Sequence, residues 1–124
     1  MATLDHLILT VNDLYASVRF YTDVMGFVHE GEDGPFSVIR ISPETTLQLA
    51  AWGTEGGHHL AFALSPDDFE ASFARIRSAG VAYGDTYHDA ANMRGPGSDS
   101  GARGPGEAVY LFDPNGHLLE IRRY

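Results

Sequence analysis

The apolar positions fall into the same arrangement twice along the chain. Residues 6–11 read His-Leu-Ile-Leu-Thr-Val and residues 59–64 read His-Leu-Ala-Phe-Ala-Leu. Each run has the length of a strand, and a polar break follows it: Asn12-Asp13 in the first, Ser65-Pro66-Asp67-Asp68 in the second. A helical stripe comes next. Leu14, Val18, Tyr21 and Met25 recur at helical spacing in the first copy, and Phe69, Phe73 and Ile76 repeat the stripe in the second. Asn12 or Asp13 can cap the first helix and Ser65 the second, with Pro66 suited to the first helical position. Gly26 and Gly80 are placed to stop them.

Strand-like material follows each helix. In the first half it predicts strands at 28–30, 36–41 and 46–51, separated by turns at 31–35 and 42–45. In the second half it predicts strands at 81–87, 108–112 and 117–122, with Asp113-Pro114-Asn115-Gly116 as a hairpin turn. The chain therefore reads as one α+β domain built from two βαβββ modules, about 1–56 and about 57–124. The stretch 89–107 is rich in Gly, Pro and Ser and carries Arg-Gly-Pro-Gly twice. It reads as a long loop without secondary structure: a surface excursion, or a lid or wall of a site.

Strand parity then sorts the side chains. His6, Ile8 and Thr10 share one face and Leu7, Leu9 and Val11 the other; His59, Ala61 and Ala63 oppose Leu60, Phe62 and Leu64. The bulkier set should pack on the helices, which leaves the histidine faces to form a cavity. A three-residue turn of Pro114, Asn115 and Gly116 registers the last hairpin. It pairs Phe112 with Leu118, Leu111 with Leu119, and Tyr110 with Glu120. Leu111, Leu119, Val109 and Ile121 then form a core face, and Glu120 stands beside a tyrosine on the other. Two imidazoles and one carboxylate, His6, His59 and Glu120, match a facial metal triad for Fe, Mn, Zn or Ni. The same residues also fit a structural role, with the histidines bonded to backbone groups and Glu120 paired to Arg122.

Composition narrows the chemistry. The 124 residues, 44% hydrophobic and 20% charged, suit one globular domain. There is no Cys, so thiolate metal sites and Cys nucleophiles are excluded. All eight basic residues are Arg, which excludes Schiff-base chemistry and a phosphate-binding lysine. A net charge of −9 argues against nucleic acid or an anionic membrane as partner. No signal pattern or membrane-length apolar run is seen, so a cytoplasmic location is expected.

These features together resemble the vicinal oxygen chelate superfamily: glyoxalase I, extradiol dioxygenases, fosfomycin-modifying enzymes and bleomycin-binding proteins. The resemblance rests on the doubled module, His6, Phe20-Tyr21, Gly26-Phe27, His59-Leu-Ala-Phe and the closing Asp-Pro-Asn-Gly-His-Leu-Leu-Glu-Ile at 113–121. It implies a U-shaped mixed sheet around a divalent metal that holds two adjacent oxygens of a small substrate. His6, His59 and Glu120 occupy the matching ligand positions. A fourth ligand of the glyoxalase branch, usually a carboxylate, falls near Gln48, whose amide oxygen can coordinate but is no general base. Glu120 is then the residue to move a proton. Tyr110 matches a tyrosine shared by the dioxygenase and fosfomycin branches, while the lack of lysine argues against the fosfomycin branch. The resemblance also implies a homodimer, which would cover sheet edges.

The expected function is a metal-dependent lyase or dioxygenase acting on a small oxygenated molecule. The alternative is a non-catalytic sequestering protein of the bleomycin-resistance type. Bland roles are expected for the other candidates. His58 reads as a strand-edge residue and His117 as a turn residue. His29 and His88 read as surface positions, Phe20 and Tyr21 as helix–sheet packing. Trp52 suits either the mouth of a site or the core.

Overall fold

A computed structural model describes all residues, 1–124. The chain divides into two compact units, Met1–Glu55 and Gly56–Tyr124. In the first, strand β1 (His6–Thr10) leads to helix α1 (Leu14–Arg19), then to β2 (Val28–Asp33), β3 (Phe36–Arg40) and β4 (Thr46–Ala50). The sheet order is β1-β4-β3-β2, with β1 parallel to β4 and the rest antiparallel. In the second, β5 (His59–Ala63) leads to α2 (Pro66–Ser78), β6 (Gly97–Gly101), β7 (Gly104–Phe112) and β8 (Leu118–Arg123). Its order is β5-β8-β7-β6, with β5 parallel to β8. These are two four-stranded mixed sheets, each with its helix, as two βαβββ modules require.

Both helices start where their caps predict. The Asp13 carboxylate accepts from the Ala16 N–H at 2.9 Å, and the Ser65 hydroxyl oxygen accepts from the Asp68 N–H at 3.2 Å. The first helix is not α-helical throughout. Residues Phe20–Val24 form a π-helical turn, in which the Met25 N–H reaches the Phe20 carbonyl at 3.1 Å. Gly26, at φ 78°, then ends it.

Burial follows strand parity. Leu9, Ile39, Leu47 and Leu49 are fully or almost fully buried in the first unit; Val109, Leu111, Leu119 and Ile121 are in the second, with Phe69 and Ile76 of α2. His6, Ile8, His59, Ala61 and Ala63 are exposed. The hairpin register is as read: Phe112 opposes Leu118, Leu111 opposes Leu119, and Tyr110 opposes Glu120. Gly116, at φ 86°, supplies the left-handed turn position.

Two expectations fail. Residues 81–87 form no strand. The segment makes one bridge to β7, where Gly84 and Tyr110 exchange N–H···O bonds at 2.9 and 3.0 Å, and then folds back on itself. Asn92 holds that fold by donating to the Asp85 carboxylate at 2.7 Å, and the backbone approaches so closely that a Cβ on Gly84 would lie 1.9 Å from the Asp89 carbonyl oxygen. The stretch 89–107 is likewise no structureless loop. It contains β6 and the start of β7, an antiparallel hairpin from Gly97↔Ala108 to Gly101↔Gly104. The Gly-, Ser- and Pro-rich composition hides it, because the ladder uses backbone groups that every non-proline residue carries. Pro105 is tolerated opposite Ser100.

Candidate functional site

The two units present their candidate residues in the same way. In the first, β1 and β4 pair His6↔Thr46, Ile8↔Gln48 and Thr10↔Ala50. In the second, β5 and β8 pair His59↔Leu118, Ala61↔Glu120 and Ala63↔Arg122. Directly opposed residues share a face. His6 and Gln48 are therefore diagonal neighbours on one face, and His59 and Glu120 occupy the equivalent positions in the second unit. The histidine opens the edge strand, and the amide or carboxylate sits two residues along the neighbouring strand.

In the second unit these side chains meet. His59 Nε2 lies 3.1 Å from Glu120 Oε1. The imidazole is half exposed, whereas the carboxylate is only 6% exposed. The other oxygen, Oε2, accepts from Arg122 Nη1 at 2.5 Å. A buried carboxylate needs such a partner, since an unpaired charge away from water is costly. Arg122 is itself buried: Nη2 donates to the Asp99 carbonyl at 3.0 Å, its guanidinium lies 4.8 Å from the Tyr124 ring, and Nε is buried without a partner. Gly101 closes over it. A Cβ there would come within 2.3 Å of the Tyr124 hydroxyl and 2.4 Å of Arg122 Cζ, so any larger residue would have to displace those side chains.

Tyr110 is buried on the Glu120 face, with its ring 6.3 Å from that of His59. Its hydroxyl donates to the Asp99 carboxylate at 2.7 Å. Burial, reinforced by that bond and by the charge of Glu120, raises the phenol above its ordinary range. The same bond, with one from the Ser100 N–H, lowers the Asp99 carboxylate. Tyr110 is thus held as a proton-bearing donor. A cavity of about 240 Å³ opens beside Glu120, lined also by Ala63, Ser100, Arg103, Arg122 and Tyr124 among others.

In the first unit, the His6 Nδ1 faces the Asp5 carboxylate at 2.7 Å, and Gln48 is partly buried. Within neither unit do three His, Asp or Glu side chains gather as a metal group. Elsewhere, His29 bonds Glu32 at 3.1 Å, and His58 leaves its ring 5.1 Å from His117. His117 is fully buried, and its Nδ1 accepts from the His58 N–H at 3.3 Å. Trp52 is 62% exposed against the edge of Phe36, which removes the core role considered for it. Asp99 and Ser100 carry no sequence signal as site residues, because the hairpin that presents them reads as loop.

Comparison with known proteins agrees with this architecture. The virulence protein STM3117 of Salmonella typhimurium is 28% identical over 130 residues, covering 98% of this chain and 83% of that protein. A probable lactoylglutathione lyase of Vibrio parahaemolyticus is 27% identical, covering 94% and 86%. Among solved structures, Oxidase ChaP-H2 matches with TM-score 0.81 and 33% identity over 99% of this chain and 94% of that one. No helix is long and apolar enough to cross a membrane. The model of the Glyoxalase/Bleomycin resistance protein/Dioxygenase superfamily matches residues 3–121, so the chain belongs to that superfamily.

Proposed function

We propose that this protein is a divalent-metal-dependent enzyme of the vicinal oxygen chelate type, acting on a small oxygenated organic molecule. The observation that carries the reading is the His59–Glu120 pair beside a cavity, with Arg122 engaging only one carboxylate oxygen. His59 Nε2 and Glu120 Oε1 lie 3.1 Å apart, so the two donor atoms already converge on one place. His59 and Glu120 would hold the metal, and His6 and Gln48 are the further ligands proposed. The donor set is all nitrogen and oxygen, which suits Fe, Mn, Zn or Ni. Asp5 would fix the His6 tautomer by accepting a hydrogen bond from Nδ1–H, which leaves Nε2 as the ligand atom.

When bound, the metal supplies Lewis-acid stabilisation of adjacent substrate oxygens as negative charge develops on them. The chain's own groups do the rest. Glu120 is the base within reach of a substrate proton. Arg122 orients it by holding Oε2. Tyr110 keeps its proton, which it donates to Asp99, so it does not serve as a base. Both lyase and dioxygenase chemistry can use this arrangement, and the lyase and oxidase relatives support each. A ligand pocket without turnover is the second reading, a sequestering protein; Arg122 favours it by neutralising Glu120 even with no metal present.

Metal analysis of anaerobically purified protein tests the proposal. The wild type should carry or take up one divalent ion per chain, and His59→Ala should lose it. Oxygen uptake with catechols would then identify a ring-cleaving enzyme, and consumption of the methylglyoxal–glutathione hemithioacetal a lyase. If the wild type takes up no divalent metal and His59→Ala changes neither metal uptake nor ligand binding, the enzyme reading fails and sequestration stands. A homodimer in the cytoplasm is proposed with it.

A further inference from the structure

The β6–β7 hairpin brings one more charged group to the cavity. Arg103 stands at its tip, exposed, with the guanidinium 4.5 Å from the Tyr124 ring. Its backbone N–H donates to the Tyr124 hydroxyl at 3.2 Å, which ties the tip to the end of β8. Most arginines of the chain are matched to a carboxylate: Arg19 with Asp23, Arg40 with Glu30, Arg94 with Asp85, Arg122 with Glu120, and Arg123 with Glu70 and Glu107. Arg103 makes no ion pair. In a protein of net charge −9, a cation left without a carboxylate at a cavity rim invites an explanation.

The cavity supplies one. Its volume of about 240 Å³ is below the range of pockets for drug-sized ligands, so it suits a single ring or a short chain. Its sides are the methyls of Ala61, Ala63 and Ala102 and the backbone of Gly101. Charge lies at two places in the lining: the Glu120–Arg122 pair and Arg103. Arg122 is less open to a ligand: it is only 4% exposed, Nη1 and Nη2 each already hold one partner, and Nε is buried. Arg103 is exposed. Stacking against a ring restrains its guanidinium, while the in-plane N–H donors stay free to form a fork. Ser100, also in the lining, adds a hydroxyl.

We propose that Arg103 is a carboxylate-recognition residue, and that the ligand of this cavity is a small monocarboxylic acid whose other, oxygen-bearing end lies toward Glu120 and His59. This deepens the metal-enzyme reading above and rests on it for the direction of the ligand. The acidity of the protein does not oppose it. Long-range repulsion of an anion is screened within about 10 Å at ordinary ionic strength, whereas the contact with Arg103 is local.

The test uses the full chain, with and without saturating Mn²⁺, and calorimetric titration of two probes of similar shape, 3,4-dihydroxybenzoate and 4-methylcatechol. A charge-assisted hydrogen bond corresponds to roughly tenfold to a hundredfold in affinity. The acid should therefore bind the wild type at least tenfold more tightly than the neutral probe. Arg103→Gln should abolish that preference and leave 4-methylcatechol within twofold, and Arg103→Lys should restore part of it. An unchanged preference in Arg103→Gln, no preference in the wild type, or no binding of the acid overturns the proposal. The two readings separate cleanly. If Mn²⁺ strengthens neither probe while the Arg103-dependent preference persists, the carboxylate site stands and the metal reading falls. If Mn²⁺ strengthens both probes equally with no preference for the acid, the carboxylate site falls and the metal reading stands.

Discussion

Arg122→Met isolates the electrostatic support under Glu120. The guanidinium is 4% exposed and the carboxylate 6% exposed, and they meet at 2.5 Å. Methionine keeps much of the side-chain length and removes the charge, so Glu120 keeps its burial without its partner. Breaking a buried pair from one side costs about 3–5 kcal/mol. His59, half exposed and 3.1 Å from the other oxygen, partly compensates by donating when its proton is on Nε2. That places the expected loss near the lower end, about 3 kcal/mol, or a fall of about 12 °C in Tm for a domain of this size. Urea unfolding in excess chelator measures it, so that no bound cation substitutes for the guanidinium; the midpoint should fall with m unchanged. The second half of the experiment is the cycle with Glu120→Gln. Once the carboxylate is gone, losing Arg122 should cost less, giving a coupling of about 2 kcal/mol or more between the two positions. A single-variant loss under about 1 kcal/mol, or additive effects in the cycle, would refute the view that Arg122 is the partner that compensates the burial of Glu120.

The other predictions follow from neighbouring contacts. Tyr110→Phe should lower stability by about 1 kcal/mol through the lost bond to Asp99. Because that bond depresses the folded-state Asp99 below its unfolded value, its contribution is fully present above about pH 4 and fades as pH falls through the folded value, so the deficit should shrink in acid. In a spectrophotometric titration up to pH 11, Tyr110→Phe should develop the same phenolate absorbance as the wild type, because burial and Asp99 hold this proton on; a deficit of one tyrosine in the variant would contradict this. Gly101→Ala should cost about 1–3 kcal/mol by forcing apart Tyr124 and Arg122, read as a lowered midpoint in urea; a neutral result would show that the hairpin gives way freely. Gly56→Ala should destabilise as well, since its φ of +88° is strained for alanine and the added Cβ would meet the Gly116 carbonyl oxygen at 2.5 Å; unchanged thermal unfolding would contradict it.

The parts of the fold that the chain spells out are those where side-chain pattern and backbone preference agree. Leu9, Leu49, Leu111 and Ile121 alternate with their strands, and Asp13, Ser65, Gly26 and Gly116 stand at caps and turns whose geometry they favour. The register of the last hairpin follows from the conformational needs of Asn115-Gly116, and it places Tyr110 opposite Glu120. The hairpin of β6 and β7 is hidden for the opposite reason. Gly97, Ser98, Ser100 and Gly101 have neither branched side chains nor alternation, and what orders them is pairing to a strand that β8 already holds in place. Each Arg-Gly-Pro-Gly run leads into one of these strands, the first ending at Gly97 and the second containing Gly104. Thus the contacts of Asp99 with Tyr110 and of Arg103 with Tyr124 emerge only from tertiary structure.

The doubled module also explains why its two copies carry different groups at one position. Gln48 and Glu120 occupy equivalent places, each diagonal to a histidine. Two residues further on, the second unit has Arg122 and the first has Ala50, which is fully buried. A carboxylate at 120 is accommodated because the guanidinium reaches back along the strand to hold it. At 48 no arginine stands at the matching position, and an ionised group among partly buried neighbours would lack that partner. An amide keeps an oxygen that can act as a ligand without placing a charge there. The pairing of Glu120 with Arg122 and of Gln48 with Ala50 is therefore one electrostatic choice made differently in each copy. It concentrates the only buried charge pair on these faces in the unit where the hairpin, Tyr110 and Arg103 also converge. Duplication supplied two equivalent scaffolds, and the divergence at 48/120 and 50/122 assigns proton-moving chemistry in the proposed reaction to the second.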